Sequence, residues 1–163
     1  AEGRFEEAAG AASQALEIRR KLYGAEHYLV ARSMSHLGVA MVRRGRLVDA
    51  EALVAGAAEQ RRRLLGERHM EFAESLVAEG LLRAAQGRAP VAIQLLDRAV
   101  ETYRVALGPR HPLVAETLVE LGRSQRTAGR GEAACRSFAA AREIYSERDP
   151  RAARAGVGLA SCR

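Results

Sequence analysis

The sequence predicts an all-α fold, a solenoid of antiparallel helix hairpins with about eight helices. Two observations carry this expectation. Small residues and histidines recur at an offset of 42 positions, and each period contains two stretches whose apolar residues are spaced three and four apart. Gly24, Gly66 and Gly108 fall into one column, each followed three positions later by a histidine, His27, His69 and His111. Gly3, Gly45, Gly87 and Gly129 form a second, each followed by arginine (Arg4, Arg46, Arg88 and Arg130). Ala8, Ala50, Ala92 and Ala134 make a third, Ala15, Ala57, Ala99 and Ala141 a fourth, and Gly38, Gly80 and Gly122 a fifth.

The elements follow in order. The opening stretch, 4–23, is the second helix of a partial repeat and is closed by Gly24. Residues 28–43 carry Val30, Ala31, Met34, Leu37 and Met41 on one helical face, and the turn Arg43-Arg44-Gly45-Arg46 stops them, since glycine accepts left-handed backbone at little cost. Residues 47–65 repeat the stripe with Ala50, Leu53, Val54, Ala57 and Ala58, and Gly66 ends it. The pair recurs as 70–85 with 89–107, and as 112–127 with 131–147; the last helix is expected at 151–161. Two helices joined by a short turn pack closely only where the crossing residues are small, which positions 38, 50 and 57 provide. One hairpin cannot bury both of its faces, so successive hairpins must stack.

Composition agrees with a folded domain and narrows its chemistry. The 163 residues are 48% hydrophobic and 28% charged, enough apolar material for one core. No basic segment leads into an apolar run, so neither a signal peptide nor a membrane span is expected, and a cytoplasmic location is. Cys135 and Cys162 stand apart from each other and from any histidine cluster, so neither a disulfide framework nor a zinc site is expected. The net charge of +6 would favour acidic partners, but Lys21 is the sole lysine and asparagine is absent, the pattern that codon bias in a GC-rich genome produces. With three Phe, four Tyr and no Trp, the chain lacks the stacking rings of single-strand binders, and a nucleic-acid partner is not expected.

On these residues the chain resembles the tetratricopeptide family, in the long-repeat variety found in kinesin light chains and many bacterial signalling proteins. Leu107, Gly108, His111 and Pro112 followed by Leu121-Gly122 and Gly129-Arg130 fit its pattern best; Leu65-Gly66 with His69, and Leu37-Gly38 with Gly45-Arg46 and Ala50-Glu51, fit nearly as well. The resemblance implies a right-handed superhelical array over 1–163: a second helix of a partial repeat at 1–24, repeats at 25–66, 67–108 and 109–148, and a degraded or capping helix at 149–163. Asp149-Pro150 replaces the glycine-histidine loop there, and Gly156 and Gly158 weaken the helix. The reading takes the chain as a piece of a longer protein. Members of this variety often carry paired asparagines on the first helix; here those places read Ser35-His36, Val77-Ala78 and Val119-Glu120.

The resemblance also implies that the first helix of each hairpin lines a concave binding face. Positions turned away from the apolar stripe give the candidates: Arg32, Ser35, His36, Val39 and Val42 on the first such helix, Glu74, Val77 and Leu81 on the second, and Glu116, Val119, Arg123 and Arg126 on the third. Val39, Val77, Leu81 and Val119 would form an apolar middle, with arginines toward both ends. That face suits a peptide or helix of a protein partner, its side chains against the valines and its carboxylates on the arginines. His27, His69 and His111 sit one per repeat in successive loops, so a structural role at helix starts is expected and no metal site. Arg19-Arg20-Lys21 and Arg61-Arg62-Arg63 occupy last helical turns, where cations offset the helix dipole. No nucleophile-base pair, carboxylate pair or phosphate loop is present, so no catalytic residue and no cofactor are expected. End-to-end self-association and service as a sensor or regulatory arm of a larger signalling protein are the alternative expectations.

Overall fold

The computed structural model describes residues 2–145, 151–160 and 162. The loop expected at Asp149-Pro150, the expected helical residues 146 and 147, and the side chains of Arg4 and Ala8 lie outside what it describes. Among the described residues there are eight helices and no strand: α1 Glu2–Tyr23, α2 Tyr28–Arg43, α3 Leu47–Leu65, α4 Met70–Ala85, α5 Ala89–Leu107, α6 Pro112–Thr127, α7 Gly131–Ile144 and α8 Ala152–Ala160. The bounds of α2 through α6 coincide with those expected from the repeat.

The repeated histidines act as helix starts. The Nδ1 atoms of His27, His69 and His111 accept hydrogen bonds from the backbone N–H groups of Leu29 (3.2 Å), Glu71 (3.1 Å) and Leu113 (3.2 Å). Each ring satisfies one of the orphan donors at a helix N-terminus, in the way that Ser or Asp caps do, and the acceptor role requires Nδ1 without a proton. Gly45 and Gly66 show why glycine recurs at the turns: their φ angles of 74° and 79° are left-handed, a region where a Cβ is strained.

Close approach explains the remaining small residues. A Cβ on Gly38 would stand 2.7 Å from Val54 Cγ2, one on Gly80 2.8 Å from Leu96 Cγ, and one on Gly122 2.8 Å from Phe138 Cε1. The first helix of each hairpin therefore rests its backbone on one large side chain of the second. Ala50, Ala57, Ala92, Ala99 and Ala141 are fully buried at the same seams. Leu96 and Phe138, also buried, anchor the largest core cluster, which runs from α4 to α8, while a second cluster joins α1 to α2. Each such large apolar side chain removed from water contributes about 1.5–3 kcal/mol.

Curvature is visible in which helices meet. Among the described residues α2 meets α4, α4 meets α6 and α6 meets α8, whereas no Cα of α3, α5 or α7 comes within 8 Å of another of those three. The first helices follow the shorter, inner path, so α2, α4 and α6 line the concave side. No helix of the described residues is long and apolar enough to cross a membrane.

The two cysteines correct the expectation from sequence. Cys135 on α7 and Cys162 just beyond α8 are joined by a disulfide, their Cα atoms 5.8 Å apart. Their separation of 27 residues gave no sign of this. The bond depends on α8 folding back against α7, which brings the two positions together in space.

Candidate functional site

The 42-residue period brings equivalent positions of α2, α4 and α6 side by side on the concave face. A hollow of about 450 Å³ between α2 and α4 is lined by Ser35, His36, Val39, Ala40, Arg43, Glu74, Val77, Ala78 and Leu81. A second, of about 480 Å³, spans α4 and α6 with Arg32, Glu74, Val77, Leu81, Glu116 and Val119 among its walls, and Tyr103 and Tyr145 behind them. The hollows share Arg43, Glu74, Val77 and Leu81, so together they form one continuous groove centred on α4.

Nine of the twelve sequence candidates line this groove: Arg32, Ser35, His36, Val39, Glu74, Val77, Leu81, Glu116 and Val119. Two of these offer less surface than expected. Val119 is 2% exposed and belongs to the main core cluster, and Ser35, 1% exposed, is engaged from below. Arg123 and Arg126 line neither hollow. Arg123 bonds Glu120 at 3.2 Å within α6, and the Arg126 guanidinium lies 5.7 Å from the centre of the Phe138 ring on α7. Val42 instead packs against the cluster formed by Ala50, Val54, Ala78 and Leu82.

The floor of the groove holds the feature that sequence reading misassigned. Arg61, expected with Arg62 and Arg63 as a last-turn cation offsetting the dipole of α3, is completely buried. Its guanidinium passes between α2 and α4. Nη1 donates to the hydroxyls of Ser35 (3.1 Å) and Ser75 (2.9 Å), and Nη2 donates to Glu71 (2.7 Å) and Glu74 (3.0 Å). Its Nε is buried without a hydrogen-bond partner among the described residues. Only Arg62 and Arg63 behave as the sequence implies, pairing at the surface with Glu59 and Glu26. The signal was available in the repeat: positions 19, 61, 103 and 145 are one column, occupied by Arg19, Arg61, Tyr103 and Tyr145. All four turn inward. Arg19 Nη1 donates to Ser33 at 2.7 Å, and Tyr103 and Tyr145 are buried behind the α4–α6 hollow.

Charge on the groove is mostly spoken for by neighbours. His36 Nε2 lies 3.0 Å from Glu74 Oε1. Burial pushes the Glu74 carboxyl up, but the bond to His36 and the charges of Arg61 and Arg32 outweigh it and hold the group below the usual carboxylate range. Burial, followed by the nearby Glu74 carboxylate, drives the Tyr103 hydroxyl well above its ordinary value, so it stays neutral. Glu71, Glu116 and Glu120 each face an arginine, Arg61, Arg151 and Arg123. The groove thus presents Arg32 and Arg43 on its α2 rim, paired acids on α4 and α6, and an aliphatic strip between them.

Comparison with known proteins places this arrangement in context. The family pattern described as Tetratricopeptide repeat matches residues 1–54 and 71–147. Similar solved structures include BtubC (BKLC) from P. vanneervenii, 24% identical over 91% of this chain and 62% of that one, with a TM-score of 0.71. A Podosopora anserina protein described as a kinesin light chain with nearly identical TPR-like repeats is 21% identical, covering 98% of this chain and 78% of that one, at a TM-score of 0.75. A single-substitution variant of that protein gives 0.76, at 21% identity over 98% and 77% of the two chains. At these identities the likeness is one of fold, and this chain spans about 62% of the length of BtubC. No curated protein sequence matches.

Proposed function

The chain belongs to the tetratricopeptide repeat family, whose repeats generally mediate protein–protein interaction, and from that premise we propose that it is a scaffold that holds a peptide or helix of a protein partner in its concave groove. The observation that carries this reading is the continuity of the two hollows through Val77 and Leu81. An aliphatic strip of this kind receives the apolar side chains of a bound segment. Arg32 and Arg43, on the α2 rim, pair with its carboxylates, through bidentate bonds where the geometry allows. The scaffold acts without catalysis or a cofactor, in the cytoplasm, and takes a protein in preference to a nucleic acid.

The test compares the wild-type chain with a Val77→Glu/Leu81→Glu variant in affinity capture from the source cell, followed by titration of each captured protein. Both side chains are half-buried at the groove surface, so two carboxylates there oppose an apolar ligand; because Val77 also packs against the core, the variant's fold is checked by circular dichroism. A partner bound by wild type and weakened at least tenfold by the folded variant supports the groove. Equal affinity for every captured partner refutes it. A second reading, self-association, is favoured by the exposure of Ile18 (57%) and Leu22 (68%) one turn apart on α1. A monomer in light scattering at high concentration rules it out. Service as a regulatory arm of a larger signalling protein is compatible with either reading, and an attached catalytic domain in the full-length sequence is what would establish it.

A further inference from the structure

We propose that the Cys135–Cys162 disulfide is a redox latch that clamps α8 against α7 and, through Arg151, sets the state of the groove's far end. The latch regulates the groove assigned above and in that sense rests on that reading.

Helix α8 is weak on its own. It has nine residues, two of them Gly156 and Gly158, whereas an isolated helix in water is marginal even at about 12–15 residues and loses about 1 kcal/mol for each interior glycine. Docking must therefore supply its order. The described contacts offer a small apolar patch: Ala155 is fully buried, Gly158 rests on the Phe138 ring, and Leu159 packs against the main core. The disulfide closes this segment into a loop of 27 residues, and a tether of that length favours the docked state by a factor of several hundred, on the order of 10² to 10³. For a helix this short, such a factor decides between docked and free.

What α8 carries makes the latch more than a staple. Arg151, immediately before α8, donates from Nη1 to Glu116 at 2.7 Å, and its guanidinium lies 5.6 Å from the centre of the Tyr145 ring. Glu116 and Tyr145 both line the hollow between α4 and α6. Release of α8 withdraws Arg151 and leaves the Glu116 carboxylate facing the groove without that cation, which changes the charge a bound segment meets.

Both cysteines are half-buried, so a dithiol reductant reaches them. A thiolate of the reductant attacks one sulfur; the Cys–Cys bond breaks as a mixed disulfide forms, and the other cysteine departs as a thiolate that takes up a proton. The reductant's second thiol then displaces the remaining cysteine. The chain gains two thiols and the reductant becomes a disulfide. In a reducing compartment, disulfides are characteristically of this reversible, sensing kind.

The test is hydrogen exchange and amide NMR on the whole 163-residue chain, oxidised and after reduction with dithiothreitol, with Cys162→Ser as a second route to the unlatched state. Unlatching is expected to speed exchange across 152–160 by on the order of 10²-fold, to leave α2–α5 protected, and to shift the amides of Glu116 and Thr117. Arg151→Ala in the oxidised chain is expected to shift the same two amides while α8 stays protected. Equal protection of α8 in both redox states overturns the latch, and an unmoved Glu116 on release of α8 overturns its link to the groove. Neither readout needs a bound partner, so the failure of groove binding and the failure of the latch are separately visible.

Discussion

Replacing Arg61 with tyrosine probes the polar cluster beneath the groove, and the chain itself supplies the control. One period later the same junction is more apolar: Tyr103 stands for Arg61, Leu113 for Glu71 and Val77 for Ser35, while Glu116 and Thr117 keep the polarity of Glu74 and Ser75. Arg61→Tyr alone removes a completely buried cation and leaves Glu71 and Glu74, whose side chains are 14% and 33% exposed, facing each other without it. Breaking a buried ion pair from one side costs about 3–5 kcal/mol, and the partial exposure of both carboxylates argues for the lower end, about 3 kcal/mol. The triple variant Arg61→Tyr/Glu71→Leu/Ser35→Val removes the orphaned Glu71 and the hydroxyl as well. Since well-packed apolar residues replace buried ion pairs at little or no cost, it should lie within about 1 kcal/mol of wild type. Urea unfolding followed by far-ultraviolet circular dichroism measures both. With a slope of about 2 kcal/mol per molar, the single variant should lose about 1.5 M in midpoint and the triple variant should recover most of it. A single variant as stable as wild type, or a triple variant no better than the single, would refute the account of Arg61 as a buried ion whose partners depend on it.

Three further outcomes follow from the packing and charge. Gly122→Ala should destabilise by up to about 2 kcal/mol in the same urea assay: the Phe138 ring is pressed between Gly122 and Gly158, and overpacking at about 1–3 kcal/mol outweighs the helix-propensity gain of about 1. Gly10→Ala, in helix α1 with nothing within 4 Å of the added methyl, should stabilise by up to about 1 kcal/mol, and a loss there would count against the propensity argument. Because the folded-state pKa of Glu74 is held below its unfolded value, its contribution to stability is present above the ordinary glutamate range and fades as pH falls through the folded pKa. Glu74→Gln should therefore flatten the acid limb of stability against pH, read from urea midpoints between neutral and about pH 3; an unchanged slope would show that the carboxylate is not held by His36 and Arg61.

Much of this molecule was legible in its sequence because a repeat reports itself. A column such as Gly38, Gly80 and Gly122 recurs because each member meets a large side chain of the next helix, and His27, His69 and His111 recur because each caps a helix. Periodicity also brought nine candidate residues to one face, since equal spacing in sequence becomes adjacency across stacked hairpins. What each residue meets across the stacked helices was decided by the tertiary structure. Arg61 reads as one more cation at a helix end unless its column with Tyr103 and Tyr145 is noticed, and it is the gap between α2 and α4, with two serines and two glutamates around it, that makes it a buried ion. Arg126 reads as a groove residue until the Phe138 ring beside it is seen. Cys135 and Cys162 are far apart in a sequence that gives no reason to pair them, and the return of α8 along α7 does so. Local spacing fixes which face of a helix a residue occupies; what that face meets depends on the side chains of a helix elsewhere in the chain.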